Sequence, residues 1–334
     1  MKRVGHVFEQ MVTFDNLMPA ARKALRGHKK YAGPAAAFYL RLEPEVLALE
    51  EELRSGQYRP APFHTFTISE PKQRCISASA FRDRVVHHAI CRIIEPLLDR
   101  GMIADSYACR IGKGAHAAVQ RAQHFARRLP YFLQCDISKY FESIDHDVLK
   151  QILARKFKDA RLLELLSLII DHPVPGYAPG AGLPIGALTS QLFANLYLSE
   201  LDHVLKDRLQ IQGYLRYMDD FLVFGQQKAS LRAWLTVIRQ VVTEQLRLTL
   251  KAHALRLAPV AQGIPFLGFR IFPGVIRLDR RHVIRFRRNI RAREQAYRRG
   301  DLDEDGLVRS VSSMIAHIAH ANTYHMRQDV FWGK

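Results

Sequence analysis

GYLRYMDDFLVFG, Gly213 to Gly225, is the stretch on which the fold turns. Two short apolar runs, GYLRY and FLVFG, flank Met218-Asp219-Asp220. Such runs are expected to pair as a β-hairpin with the acids at its turn. Taken alone, an Asp-Asp pair at a hairpin tip is ordinary turn chemistry. A carboxylate beside apolar strands is nevertheless costly unless something offsets it. A second such acid stands upstream. Asp136 nearly closes the apolar run YFLQCDI (131–137), read as another short strand, 219 − 136 = 83 residues before Asp219. Carboxylates gathered close together need a cation to neutralise them. Mg²⁺ suits oxygen ligands and keeps waters and substrate phosphates in its shell. Two such ions can activate a 3′-hydroxyl and stabilise a leaving pyrophosphate, which is the requirement of nucleotidyl transfer.

The surrounding composition fits that chemistry. The chain has 334 residues, 48% hydrophobic and 25% charged, enough for one large or two ordinary cores. Lys and Arg total 50 against 32 acids, a net charge of +18, which points to a polyanionic partner. Nucleic acid is favoured over an anionic membrane, because no run of about 18 apolar residues exists. The opening MKRVGHVFEQMV has no apolar signal core. Cys75, Cys91, Cys109 and Cys135 are too far apart for a C-x-x-C zinc site and read as reduced, partly buried thiols. A cytoplasmic location, with no membrane association, is expected.

Residues 16–58 read as helical, FHTFTI as a strand and PKQRCI as its hairpin partner. Asp83 to Asp99 and residues 145–170 read as helices, and 172–191 as a Gly/Pro-rich loop. LFANLYLSELDHVLKDRL and about 228–247 read as helices, LRLTL and FLGFRIF as strand-like. From Arg270 to Arg299 eleven Arg face two acids, Asp279 and Glu294, and helical patterning runs on through 306–328.

Further motifs fall around the acids in a definite order. FLQCDISKYFESIDHDVL contains Asp136; GLPIGALTSQLFANLYLSELD lies between it and YMDD; EPKQRCISASAFRDRVVHHAI precedes both; GIPFLGFRI follows. Together with the YMDD hairpin, these resemble the motif series of reverse transcriptases over roughly residues 58–272. The resemblance implies an α+β right-hand polymerase fold. It implies an N-terminal helical extension at 1–57, fingers at 58–130, the first part of the palm at 131–150 and a fingers/palm connection at 151–189. The second part of the palm would span 190–272, with an antiparallel sheet, and a basic helical thumb 273–334.

The resemblance also implies roles. Asp136 and Asp219 would carry two Mg²⁺ ions, for which Mn²⁺ can substitute, with Asp220 assisting and the Ile137 carbonyl completing a shell. Lys72 and Arg74 would meet the dNTP triphosphate, as charge and bidentate geometry suit them to do; the alternative is a pair of solvated strand residues. Phe141 would stand as a bulky gate against a ribose 2′-hydroxyl, or else as a core aromatic. Arg82 and Asp83 read as a structural ion pair. Lys251 is either a general acid for pyrophosphate or, as the better reading, a solvated strand-end lysine. Arg285, Arg287, Arg288 and Arg291 would grip template–primer phosphates, contacts that carry affinity rather than sequence information.

The third motif departs from the common pattern. Where many relatives read PQG and then SP, this chain reads Pro184-Ile185-Gly186 and Thr189-Ser190-Gln191. That form, with DSYACRIGKGAHAAV at Asp105 to Val119, resembles the group II intron-like enzymes of diversity-generating retroelements. It implies that Ile185 and Gln191 take part in dNTP binding, with Ile185 lacking the hydrogen bond that a Gln there could make near the nascent pair; Ile185 also reads as apolar loop packing and Gln191 as a helix-start residue. The resemblance implies an RNA template, a DNA or RNA primer, error-prone copying opposite template adenines, and a small basic accessory protein that assembles as an oligomer. The rivals are an intron, retron or antiphage-defence reverse transcriptase, and a catalytically silent RNA-binding scaffold.

Overall fold

The computed structural model describes residues 3–27, 33–69 and 73–332. In chain order its helices and strands open with α1 (Phe8–Met11), α2 (Phe14–Ala24), α3 (Gly33–Leu40), α4 (Leu42–Ser55), β1 (His64–Ile68) and β2 (Arg74–Ala78). There follow α5 (Phe81–Asp99), α6 (Ala115–Ala126), β3 (Tyr131–Asp136), α7 (Tyr140–Ser143), α8 (His146–Lys156), α9 (Ala160–Ile170) and α10 (Leu188–His203). The series closes with β4 (Tyr214–Tyr217), β5 (Asp220–Gly225), α11 (Lys228–Gln240), β6 (Arg256–Pro259), β7 (Ile264–Phe266), β8 (Phe269–Ile271), β9 (Ile276–Leu278), α12 (Arg280–Arg298), α13 (Glu304–Ile318) and α14 (Tyr324–Phe331). Two compact units form, one from 1–104, 137–210 and 237–251, the other from 105–136, 211–236 and 252–334. No described helix is long and apolar enough to cross a membrane.

The first unit is mainly helical. α5 buries Val85, Val86, Ala89, Ile90 and Ile94, and α2 lies against it with Leu17, Ala20 and Ala21 fully covered. α10 is buried almost all round, which marks a central helix rather than an amphipathic surface one. Its Tyr197 hydroxyl finds a partner by donating to the Leu246 carbonyl at 2.7 Å. The expected single helix over 145–170 is two. Phe157 is extended and bridges Val4, and Asp159 then caps α9 through Leu162 N–H while accepting from the N–H groups of Val7 and Phe8. A capping carboxylate that serves two chain segments overrides the helical propensity of its neighbours. The expected β1–β2 hairpin forms, with Ile68 opposite Arg74.

Other boundaries differ from expectation. α10 begins at Leu188, inside the stretch read as loop, and α11 gives way at Val241 to a wider π turn. LRLTL supplies only one bridge, Leu250 to Ile137, while the strand beside β3 is β6, Arg256–Pro259. Arg82 and Asp83 do not pair with each other. Arg82 binds Glu52 at 2.7 Å, and buried Asp83 accepts from the Tyr58 hydroxyl at 2.8 Å and Ala61 N–H at 2.9 Å. At 3.6 residues per turn, successive side chains on the helix diverge by about 100°, so each takes a separate partner. None of the four cysteines, all among the described residues, is in a disulfide; Cys91 and Cys135 are buried, Cys75 and Cys109 exposed.

The second unit holds an antiparallel sheet in the order β4-β5-β3-β6. One face carries Phe132, Leu215, Leu222, Phe224 and Ala258 into a core shared with α6 and with the three-stranded β7-β8-β9 sheet. α12 adds Phe286 and Ile290 to that core, and α13 adds Ile318.

Candidate active site

The site begins with strand pairing. β3 and β5 align Asp136 with Asp220, Gln134 with Leu222 and Phe132 with Phe224. Residues paired directly across an antiparallel ladder project to the same face. Asp136 and Asp220 therefore share a face, and Tyr217, paired with Asp220 from β4, joins them. Burial raises the pKa of the Tyr217 hydroxyl above its ordinary value. Asp219 sits in the turn. The sequence placed both acids there, but Asp220 is the first residue of β5.

Tyr217 and Asp220 pair, so only Met218 and Asp219 make the connection. Met218 has φ 57°, in the left-handed region, and Asp219 is not among the residues of positive φ. That is the sign pattern of a type II′ hairpin turn, whose first central position favours glycine. A side chain there costs about 1–2 kcal/mol, and such strain gathers at functional turns.

Arg216 supports the turn from within the strand. Its side chain is fully buried, and Nη1 donates to the Met218 carbonyl at 3.1 Å. Its backbone is bonded on the outer side to Asp105 and Tyr107, each at 2.9 Å, so the segment Asp105–Tyr107 covers the edge of β4. Asp105 is itself buried and held by Arg121, at 2.8 Å from Nε and 3.2 Å from Nη2. The hydrogen bond that Arg121 donates to Asp105 holds its guanidinium above its ordinary range. Arg216 was passed over in the sequence, where one cation in the apolar run GYLRY was its only signal. Gln134 was passed over likewise; its Nε2 lies 3.3 Å from Asp220 Oδ1.

The other expected positions are distributed as follows. Ile137 is buried and bridges Leu250, and half-buried Lys251 comes next. Phe141 is half-buried and accepts at its carbonyl from Leu183 N–H at 2.7 Å; Ile185 accepts from Ser77 N–H at 2.9 Å. The Leu183–Gly186 loop is thereby clipped to α7 on one side and β2 on the other. Gly186, φ 124°, permits the approach, since a Cβ would lie 3.0 Å from the Ile76 side chain. Arg74 is exposed at the start of β2, and Gln191 is exposed in the first turns of α10. Lys72 lies outside the described residues. In the second unit Arg287, Arg288 and Arg291 are exposed on α12 and Arg285 is half-buried. Thus Phe141 and the strand that Arg74 opens border the Ile185 loop in the first unit, and the three acids stand on one hairpin and one strand of the second.

Among the described residues no three His, Cys, Asp or Glu side chains form a ready metal cage. Carboxylates facing each other across two strand ends are instead hard oxygen donors with room for waters and phosphate oxygens. That fits Mg²⁺, which binds through one or two carboxylates plus substrate phosphates rather than in an all-protein cage.

A small antiparallel sheet that carries facing acids at its strand ends, backed by helices, is the palm arrangement of right-hand nucleic-acid polymerases. Telomerase from Candida albicans, solved in complex with a TWJ fragment of telomeric RNA, shares this fold: TM-score 0.51 and 12% identity, over 82% of this chain and 59% of that one. Residues 68–271 match the family model described as reverse transcriptase (RNA-dependent DNA polymerase). The chain belongs to the reverse transcriptase family, and its enzyme class is RNA-directed DNA polymerase. It is 29% identical to protein YkfC of Escherichia coli (strain K12) over 274 residues, 69% of this chain and 72% of that protein. It is 26% identical to the group II intron-encoded protein LtrA of Lactococcus lactis subsp. cremoris over 170 residues, 48% of this chain but only 28% of that protein. The family depends on divalent metal ions.

Proposed function

We propose that this protein copies an RNA template from a DNA or RNA primer by nucleotidyl transfer at Asp136, Asp219 and Asp220. The observation that carries the reading is the register pair Asp136–Asp220, one step from the Asp219 turn. Asp136, Asp219, Asp220 and the Ile137 carbonyl would hold two Mg²⁺ ions. When bound, these cations supply charge neutralisation at the attacking and leaving oxygens. The residues themselves orient that chemistry. Arg216 fixes the turn, and the exposed arginines of α12 hold the duplex by its phosphates. Lys72, Arg74, Phe141, Ile185 and Gln191 would receive the dNTP. A bulky ring at Phe141 favours a sugar without a 2′-hydroxyl.

The biological setting we infer is a diversity-generating retroelement. The Ile185 motif supports it: a polar residue there could hydrogen-bond near the nascent pair, and isoleucine cannot. Loss of one such constraint loosens selection roughly tenfold per 1.4 kcal/mol. The partners would be a template-repeat RNA and a small basic oligomeric accessory protein. The second reading is an intron-type enzyme, favoured by the similarity to LtrA. Sequencing the cDNA that the purified protein makes from its adjacent noncoding RNA separates them. Substitutions concentrated opposite template adenines, and reduced in Ile185→Gln, support diversification; faithful copies by the wild type refute it.

A further inference from the structure

We infer that Gln134 is a positioning residue for Asp220, and that it ties this carboxylate to the β7–β8 hairpin. The inference rests on the reading of Asp136, Asp219 and Asp220 as the reacting centre.

The register creates the relationship. Side chains alternate along β3, so Phe132, Gln134 and Asp136 project to one face. Asp220 lies opposite Asp136, which puts Gln134 diagonal to Asp220 and within reach of a long side chain. On this face Phe132, Leu222 and Phe224 are buried apolar groups, and half-buried Arg256, opposite Gln134 on β6, lies over the Phe132 ring. An amide in such surroundings must find partners. Gln134 Nε2 donates to Asp220 Oδ1 at 3.3 Å and to the Pro265 carbonyl at 2.9 Å. An ionised carboxylate and a backbone carbonyl both accept only, so the nitrogen and not the oxygen of the amide must face them. Both N–H groups are then engaged.

The second partner gives the bond its reach. Pairing of β3 with β6 ends at Gln134–Arg256, and Pro265 belongs to β7, outside that ladder. One amide therefore joins the acid-bearing sheet to the hairpin whose sequence resembles a primer grip. Neither the Asp220 rotamer nor the hairpin can shift without straining a bond to the same nitrogen. Loss of an outer hydrogen-bond partner of a metal-binding carboxylate typically costs 10–100-fold in metal affinity or activity.

Two near-isosteric variants of the full chain test this. Gln134→Met fills the space without donating; Gln134→Glu can only accept. Mn²⁺ binding would be followed without nucleic acid, by loss of the free-ion electron paramagnetic resonance signal. Mg²⁺ dependence of primer extension and amide exchange across Ile264–Ile271 would be measured beside it. We expect roughly tenfold weaker Mn²⁺ binding and a matching rise in half-saturating Mg²⁺ for Gln134→Met. Gln134→Glu should lose at least as much, and both should exchange faster in the hairpin. Wild-type Mn²⁺ affinity in both variants overturns the proposal, including the case where extension falls, since Gln134 would then only fill space. Asp136→Asn keeps the two failures apart: if it binds Mn²⁺ and extends primers like the wild type, the carboxylate reading is wrong whatever Gln134 does.

Discussion

Asp136 and Asp220 stand directly opposite each other on one face of the β3–β5 ladder. Like charges in that relationship destabilise a sheet, by roughly 0.2–1 kcal/mol. Asp220→Asn in metal-free buffer is therefore expected to raise the urea unfolding midpoint slightly, with an unchanged slope. Primer extension should fall at the same time. A variant less stable than the wild type would mean that the pair is not repulsive.

Arg216 predicts a loss of stability and activity together. Gln, Lys or Met at this position would sit in a fully buried strand site. Arg216→Met removes the donor to the Met218 carbonyl, and an unsatisfied buried group costs about 1–3 kcal/mol. The loss should appear both as lower stability and as a lower kcat, with KM for dNTP changed far less, because the turn is displaced and not the nucleotide contacts. A large KM effect with a normal kcat would contradict this role.

His87 sets a pH dependence. Burial, then the charges of His88 and His172, push its pKa down to about 4 from an ordinary 6.5. It sits between α5 and α10, 3.5 Å from the Thr189 hydroxyl. Below pH 6.5 the unfolded chain takes up a proton that the folded chain refuses, so the unfolded state binds more protons and stability falls with pH. The contribution is complete above about pH 6.5 and fades toward pH 4, by at most about 3 kcal/mol at 1.36 kcal/mol per unit. Nearby Asp83 works the other way, since burial raises its pKa and its protonation favours the folded state as pH falls. Denaturation midpoints between pH 7 and 4 should therefore fall less steeply in His87→Gln than in the wild type.

α12 predicts a salt dependence. Arg287, Arg288 and Arg291 are exposed, and three phosphate contacts would contribute roughly 0.9 each to the slope of log K against log salt. Replacing all three with alanine should lower the magnitude of that slope for an RNA–DNA duplex by about 2–3. An unchanged slope would place the duplex elsewhere.

Much of the site was legible because it is local. The hairpin that carries Asp219, β3 and the β1–β2 hairpin follow from short apolar runs and the residues that punctuate them, although the same runs read Asp220 into the turn, where the structure has it open β5. The parts that were not legible depend on distant partners. β6 reads as an unremarkable RLAP, and it becomes a strand because Leu133 and Phe132 offer it a ladder 124 and 126 residues upstream, by 257 − 133 and 258 − 132. The break at Phe157 depends on Val4, and the capping of α9 by Asp159 is shared with Val7 and Phe8. Arg216 and Gln134 look like imperfections in apolar strands until the Met218 carbonyl and Asp220 supply their partners. Arg82 and Asp83 are neighbours in sequence that a helix turns toward Glu52 and Tyr58.

The claim that everything else rests on is the role of the facing acids. Its most direct test is RNA-templated primer extension with Mg²⁺ by Asp136→Asn and Asp219→Asn, each verified as folded by circular dichroism. The account predicts that each variant loses extension by at least a hundredfold, the scale of removing a group that stabilises the transition state, while still binding the template–primer duplex. Extension at the wild-type rate by either variant would contradict it.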